Sequence, residues 1–403
     1  MFTKRNITAV LIAMIIPVVI NAQVREHRST DLRSLAMGGT VTGIGRSAYL
    51  LSNNIAELAM LPKSSFRLID LSASLGSQAI KDAKAFSGDI REIIDGGSLD
   101  RPGRLDILHR LGSYADDAAM NIRLSASPLG IATRGFGFGV FADTKIGVSK
   151  EETSGKSTVT MNSTSDFKAV TGFATNKRIG CGSIAWGFGI TFRYLRDDIH
   201  TGEFTQSPES DAGEGADQGL YYGSARNAAG VGFDVGGMYQ VGGLRIGLAA
   251  HDVGKTRLTW KSVDVADFEA SPLHRVNDSG EPETSEHDRE TIEYLDPSFC
   301  LGMAYYGDFD VLGFFRDFRI AGELRKKSSG EIAYNAGAEA RFMRVFRVRC
   351  GIDENERLTY GAGFRFLCFD CDAASYWLPA MDSGAEGEKA FENIYGASVG
   401  ISF

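Results

Sequence analysis

The chain is poor in proline, in histidine and in long apolar runs, and each shortage closes off a class of protein. Nine prolines among 403 residues, with a charged fraction of 23%, exclude a Pro-rich linker or a disordered chain. Beyond the first twenty-two positions no segment offers the roughly twenty consecutive apolar residues that a membrane-crossing helix requires. Acidic residues outnumber basic ones to give a formal net charge of -8, which disfavours a nucleic-acid partner. Six histidines are scattered, and His251-Asp252 is the only close acid pairing with a neighbouring strand end. There is no GxSxG elbow, HExxH helix or phosphate-cradling Gly-rich loop, and no Ser and His pair placed on a wall as a phospholipase would need. The chain is therefore not expected to be an enzyme, and no cofactor or metal is expected. Cys368-Phe369-Asp370-Cys371 is a lone CxxC without a second pair, compatible with a local disulfide and weak as a metal signal. With 5 cysteines, at least one thiol has no partner within the chain.

What is present begins with an export signal. Lys4 and Arg5 precede an apolar stretch from Ala9 to Ile20, and Asn21-Ala22 then offers a small residue for cleavage before Gln23. That stretch is too short to span a bilayer as a helix. No cysteine follows the cut, so a lipid anchor is not expected. An exported chain without an apolar helix can cross a membrane only as a closed sheet, since lipid leaves open backbone groups no partner.

Period-two alternation fills the remainder. In Ile184-Ala185-Trp186-Gly187-Phe188-Gly189-Ile190-Thr191-Phe192-Arg193-Tyr194 every even residue is bulky and every odd one is small, polar or charged. The same pattern occurs at 136–140, 231–235, 244–248, 299–305, 346–350 and 360–366, and more weakly near 69–75, 120–126, 167–175, 318–324 and 333–342. The fold expected is all-β, a transmembrane antiparallel barrel of about fourteen strands with its oily face toward lipid. The last strand, Tyr395 to Phe403, ends on an aromatic residue like the signal by which the barrel-assembly machinery recognises its clients, so Phe403 is expected to engage that machinery and outer-membrane lipids to surround the product. Helical spacing at 79–94 and 105–111, around Arg101-Pro102-Gly103, predicts a short helical insertion early in the barrel. Polar segments at 197–227, 255–293 and 380–392 are expected to be external loops. Trp186, Trp260, Trp377, Tyr194, Tyr305 and Tyr376 are assigned to aromatic girdles near strand ends.

Two motifs bring in a family. Arg33-Ser34-Leu35-Ala36-Met37-Gly38-Gly39-Thr40 followed by Asn54-Ile55-Ala56-Glu57-Leu58-Ala59 resembles the "GMGGA" and "NPAGLA" runs of FadL-type outer-membrane transport proteins, with Ile55 and Glu57 in place of the family's proline and glycine. Near the other end, Asn335 to Glu339, Phe346 to Gly351 and Tyr360 to Gly363 resemble the closing strands of the same superfamily, which includes PorV-like and TraF-like branches. The resemblance implies a fourteen-stranded barrel with an amino-terminal hatch in its lumen, past which hydrophobic ligands diffuse. It divides the chain into a signal peptide (1–22), a plug (23–62) and a bacterial outer-membrane barrel (63–403). The partner implied is a hydrophobic or amphipathic small molecule or lipid, such as a long-chain fatty acid. The alternative is a PorV-like barrel that binds exported proteins or scaffolds a surface assembly.

Within that frame the ligand-contacting residues expected are Met37, Gly38, Gly39 and Asn54 on the plug and Arg193, Arg347 and Arg349 on the wall. Gly38, Gly39, Gly43 and Gly45 permit close backbone approach, while Met37, Ile44, Leu50 and Leu51 offer apolar surface to a ligand or simply fill the barrel. Oily-face-out parity puts Arg123, Arg193, Arg245, Arg319, Arg347, Arg349 and Arg365 in the lumen with Asp234, Glu323, Glu339 and Arg341. Two uses remain open for them: attraction of an anionic head group, or pairing into a network that stiffens the barrel.

Overall fold

Alternating bulky and small residues become wall in the computed structural model, which describes residues 31–41, 49–76, 101–114, 120–153, 156–205, 220–262, 291–307, 315–326, 331–343, 345–379 and 391–403. The strands are β1 (Ser65–Gly76), β2 (Met120–Thr133), β3 (Phe136–Thr153), β4 (Lys156–Ile179), β5 (Gly182–Thr205), β6 (Leu220–Val241), β7 (Leu244–His251), β8 (Thr256–Ser262), β9 (Thr291–Leu295) and β10 (Ser298–Gly307). They continue as β11 (Phe315–Lys326), β12 (Ile332–Phe342), β13 (Phe346–Ile352), β14 (Leu358–Phe366), β15 (Phe369–Pro379) and β16 (Phe391–Ser402). All ladders are antiparallel. The ring runs β1 to β7, crosses from β7 to β10, and closes where β16 pairs back onto β1. Sixteen strand segments thus make a fourteen-strand barrel, because β8 extends β7 beyond a break at 252–255 and β9 precedes β10 across Asp296-Pro297. The closing seam is tight: Phe403 N–H donates to the Phe66 carbonyl at 2.8 Å, and Phe66 N–H donates to the Phe403 carbonyl at 3.1 Å.

Two-residue turns join β2 to β3, β4 to β5, β6 to β7 and β14 to β15 at one end. Gly180 and Gly242 sit in them at φ 59° and 55°, the left-handed backbone that such hairpins require and glycine accepts without strain. The four longest connections, 77–119, 206–219, 263–290 and 380–390, fall at the other end, called here the loop end.

Side-chain parity is that of a barrel in lipid. On β5, Trp186, Phe188, Phe192 and Tyr194 point outward with 51, 52, 54 and 41% of their surface exposed, while Thr191 and Arg193 between them are buried. The same inversion repeats at Phe233 against Asp234, at Leu324 against Glu323 and at Val348 against Arg349. On β5 the oily run ends at Tyr194, and the outward residues that follow are Arg196, Asp198 and His200, with Arg196 and Asp198 paired at 3.0 Å. From Ile184 to Tyr194 is about 33 Å of strand, which at the usual tilt covers about the 25 Å apolar band of an outer-membrane barrel.

Several expectations need correction. The polar stretch 197–227 is not wholly loop: β5 and β6 stay paired from Gly182↔Val241 to Glu203↔Leu220, because a ladder carries on in water once both faces can be polar. Likewise 255–293 contains β8 and the start of β9, and 380–392 ends inside β16. Trp260 and Tyr376 are not girdle residues; each is 2% exposed and packs inward. Strand β15 escaped detection because Asp370, Asp372 and the CxxC masked its alternation. The five cysteines, Cys368 and Cys371 included, are unbonded. A helix does interrupt the early strands, over Arg101–Tyr114; the helical spacing at 79–94, the export signal and the glycines at 43 and 45 lie outside the described residues.

If the outward face meets hydrocarbon, Phe192→Arg should lower unfolding free energy in lipid vesicles by about 2–4 kcal/mol, the cost of a cation near the bilayer midplane. Urea titration followed by tryptophan fluorescence reads this, and an unchanged midpoint would contradict the assignment of faces.

Candidate functional site

Two stretches of the amino-terminal segment lie inside the ring, and each is seated against a different arc of wall. The first begins at Asp31, whose carboxylate accepts the Arg33 N–H at 3.2 Å and opens helix α1 (Leu32–Leu35). The chain then turns through Gly38 and Gly39 at φ 74° and 89°. It turns against bare backbone: a Cβ on Gly38 would stand 2.2 Å from the Ile352 carbonyl oxygen, and one on Gly351 would stand 2.3 Å from the Met37 carbonyl carbon. Hydrogen bonds fix the fit. Gly38 N–H donates to Thr359 Oγ1 at 2.9 Å, Thr359 Oγ1 donates to the Ala36 carbonyl at 3.2 Å, and Val41 N–H donates to Glu323 at 3.0 Å.

The second stretch comprises helix α2 (Leu50–Asn53) and a 3-10 helix over Ile55–Met60. Asn54 caps the latter by accepting the Ala56 N–H at 3.1 Å, and its amide donates to the Gly237 carbonyl at 3.2 Å. The wall again lacks side chains where the plug touches it, since a Cβ on Gly189 would lie 2.1 Å from Ile55 Cδ1. Leu50, Leu51, Ile55 and Leu58 are at most 2% exposed, packed with Ala132, Phe141 and Val170. Toward the loop end, α3 (Arg101–Tyr114) turns Ile107, Leu108 and Leu111 onto Ile146, Val148, Val159, Met161 and Phe204.

Charges line the interior in pairs. Glu339, 4% exposed, accepts from three arginines: Arg33 of the plug at 2.8 Å, Arg319 at 2.9 Å and Arg349 at 2.8 Å. Arg349 reaches Asp372 as well, at 2.6 Å. Arg347 lies 3.7 Å from Asp370, while Arg193 lies 3.6 Å from Asp166 and 3.8 Å from Asp252. Arg123 grips Asp143 at 2.8 Å, and Arg67 grips Asp70. Asp234 accepts from Thr191 Oγ1 at 2.6 Å and from the Asp252 N–H at 3.0 Å, bracing the break between β7 and β8. Of the two uses left open for the lumenal arginines, the structure shows paired charges.

A cleft opens beside the plug among the described residues, between α1, β12, the turn at Asp353–Asn355 and the loop end of β15. Gly38 and Gly39 border it. Met37 instead packs on Ala304 and Ala321, Asn54 is fully buried in the opposite seat, and Arg193, Arg347 and Arg349 are engaged in the ion pairs above, outside the cleft. The expected ligand residues are therefore not brought together in one place. Asn335, Arg325, Thr359, Trp377 and Leu378 line the cleft and were not foreseen. For Asn335 a signal existed in parity, because it alternates with the outward Tyr334 and Ile332.

No protein-family model matches the chain, and no curated protein matches it by sequence. Among solved structures it is similar to a Pseudomonas aeruginosa FadL homologue at 11% identity, covering 93% of this chain and 97% of that one with a TM-score of 0.48. It is similar also to the Ralstonia pickettii toluene transporter TbuX at 13% identity, covering 93% and 98% with a TM-score of 0.44. A variant of the TodX monoaromatic hydrocarbon channel gives 12% identity over 92% and 97%, with a TM-score of 0.44. The closed barrel is established by its own strand pairing and not by these likenesses.

Replacing Glu339 by leucine should strip the buried Arg319 and Arg349 and the half-buried Arg33 of their common acceptor. A loss of about 3–5 kcal/mol is expected, as when one partner of a buried ion pair is removed. Denaturant midpoints of Glu339→Leu against the parent measure it, and a loss under about 1 kcal/mol would mean the cluster does not hold plug to wall.

Proposed function

We propose that this chain is a bacterial outer-membrane channel for hydrophobic or amphipathic small molecules, which cross by passive diffusion past a plug formed by residues 23–62. The observation that carries the reading is the plug seat. A closed barrel has its amino-terminal segment docked inside it through glycine-bared wall and side-chain hydrogen bonds, with a cleft left against that segment. A purely structural filler needs no such opening. Export, residence in the outer membrane and delivery through Phe403 to the barrel-assembly machinery belong to the same proposal, supported by the oily exterior and the aromatic end of the closing strand.

Passage requires an apolar route bordered by few binding groups, and small-molecule sites are typically apolar with a few placed polar atoms. At the second plug stretch the interior is apolar but packed against the wall, so passage there needs those side chains to move. A long-chain fatty acid belongs to the proposed class, but its carboxylate would compete with Glu339, Asp372, Asp166 and Asp370 for the arginines they hold. Uncharged compounds meet no such competition.

The test is uptake by a Gram-negative host lacking its own hydrophobic-compound channels. Cells expressing the full chain should accumulate radiolabelled ethylbenzene several-fold faster than empty-vector cells, and faster than they accumulate labelled oleate. Uptake equal to the empty vector, with a correctly folded heat-modifiable barrel in the membrane, would refute the channel and return the chain to the alternative of a scaffold for exported proteins.

A further inference from the structure

One sector of the outer wall turns basic just above its oily band. Along β7 and into the break that follows, the outward positions are Leu244, Ile246, Leu248, Ala250 and Val253, the first four paired with the outward Tyr305, Met303, Leu301 and Phe299 of β10. Lys255 and Arg257 come next, both exposed, and then Thr259 and the exposed Lys261. Arg257 is outward because it stands opposite the exposed Tyr294, while Leu258 and Trp260 beside it are buried on the inner face. From Leu244 to Val253 is about 30 Å of chain, which at the usual tilt spans about the 25 Å apolar band. The change from oily to basic therefore falls where hydrocarbon gives way to head groups, and Tyr294 is an aromatic ring at the same boundary.

No carboxylate faces outward on β8–β10 among the described residues. Glu293 is turned inward and accepts from Trp260 Nε1 at 2.6 Å. Asp296 is buried, and Asp198, on β5, is already met by Arg196. Lys255 touches Asp296 at 3.4 Å, yet 43% of its side chain is exposed. The cations follow one another at about 7 and about 13 Å along the strand, near enough to repel at the roughly 8 Å screening length of physiological salt. An anion lying between them relieves that repulsion, and a guanidinium fork suits phosphate oxygens in particular.

The surroundings decide which anion. The strip looks sideways into the leaflet, with Val253 and Phe299 exposed directly beneath it. A lipid satisfies both levels at once, whereas a soluble anion uses only the upper one. We infer that the outer wall over β8–β10 is a docking site for a phosphate-bearing lipid of the leaflet at the loop end, with its acyl chains along Val253 and Phe299 and its phosphate at Lys255, Arg257 and Lys261. The inference rests on the barrel's placement in a membrane, which strand parity gives, and is independent of what passes the lumen.

The test uses the full chain in dodecyl maltoside micelles, with the bisphosphorylated glycolipid lipid A and the same lipid stripped of both phosphates as probes. Native mass spectrometry counts the lipid retained per barrel. Lipid A should be retained at least about tenfold more than its dephosphorylated form, and Arg257→Gln combined with Lys261→Gln should cut that retention about tenfold. Arg257→Lys should keep most of it, and Arg196→Gln, which removes an outward cation already paired, should leave it unchanged. Should the double variant fail to give a heat-modifiable barrel, Arg257→Gln alone serves in its place, with a loss of about threefold expected. Equal retention of the two lipids, a variant at Arg257 that binds like the parent, or an equal loss in Arg196→Gln would each overturn the inference. So would displacement of lipid A by millimolar inorganic phosphate, since the strip would then be a site for a soluble anion.

Discussion

Everything in this molecule follows from the need to give each backbone N–H and C=O of the wall a partner where the surroundings supply none. A sheet facing hydrocarbon has no tolerance for an edge, so β16 must come back to β1, and the reciprocal bonds of Phe66 and Phe403 complete that return. Closure in turn creates an inside and an outside. Once the outside is lipid, parity along every strand is fixed, and a slip of one residue would exchange Phe192 for Arg193.

Closure also creates a volume to fill. A fourteen-strand ring is too wide for its own inward side chains to pack across, so this chain fills part of it with its amino-terminal segment. The wall accommodates that segment by carrying glycine where the plug passes: β12 and β13 at Met37 and Gly38, β5 at Ile55, β6 at Asn54. Burying side chains such as Leu50, Leu51 and Leu58 contributes about 1.5–3 kcal/mol each, and the arginines around Glu339 add geometry to that apolar adhesion. The two plug stretches are held differently. The first is hydrogen-bonded and ion-paired to β11–β14, whereas the second is mostly greased into β3–β6.

Legibility in the sequence followed parity and failed where parity was masked or irrelevant. Strands such as β5 and β10 announced themselves because every second residue is bulky. Strand β15 did not, since Asp370 and Asp372 on its lumenal face look like loop composition when read alone. The loops were overdrawn at 197–227 because polarity was equated with irregularity, although a ladder above the membrane has two wet faces and needs no oily one. Trp260 and Tyr376 illustrate a related limit: an aromatic near a strand end goes to the girdle or to the interior according to parity, and the pattern was too short on β8 and too masked on β15 to tell. The lumenal arginines could be placed inward one by one, yet their partners come from strands far apart in the chain. Glu339 serves Arg33 across 306 positions. The cleft was illegible for the same reason, assembled from α1, four separate strand ends and a turn.

The wall is far from level at the loop end. Strands β4 and β5 have 24 residues each, while β13 has 7 and β14 has 9, which is about 80 Å of chain on one side against about 25–30 Å on the other. The vessel is a tube cut on a slant, and the mouth bordered by Asp353 and Trp377 lies on its short lip. That mouth therefore stands far below the crest of β4 and β5, whose polar upper ladder rises as a palisade on the opposite quarter.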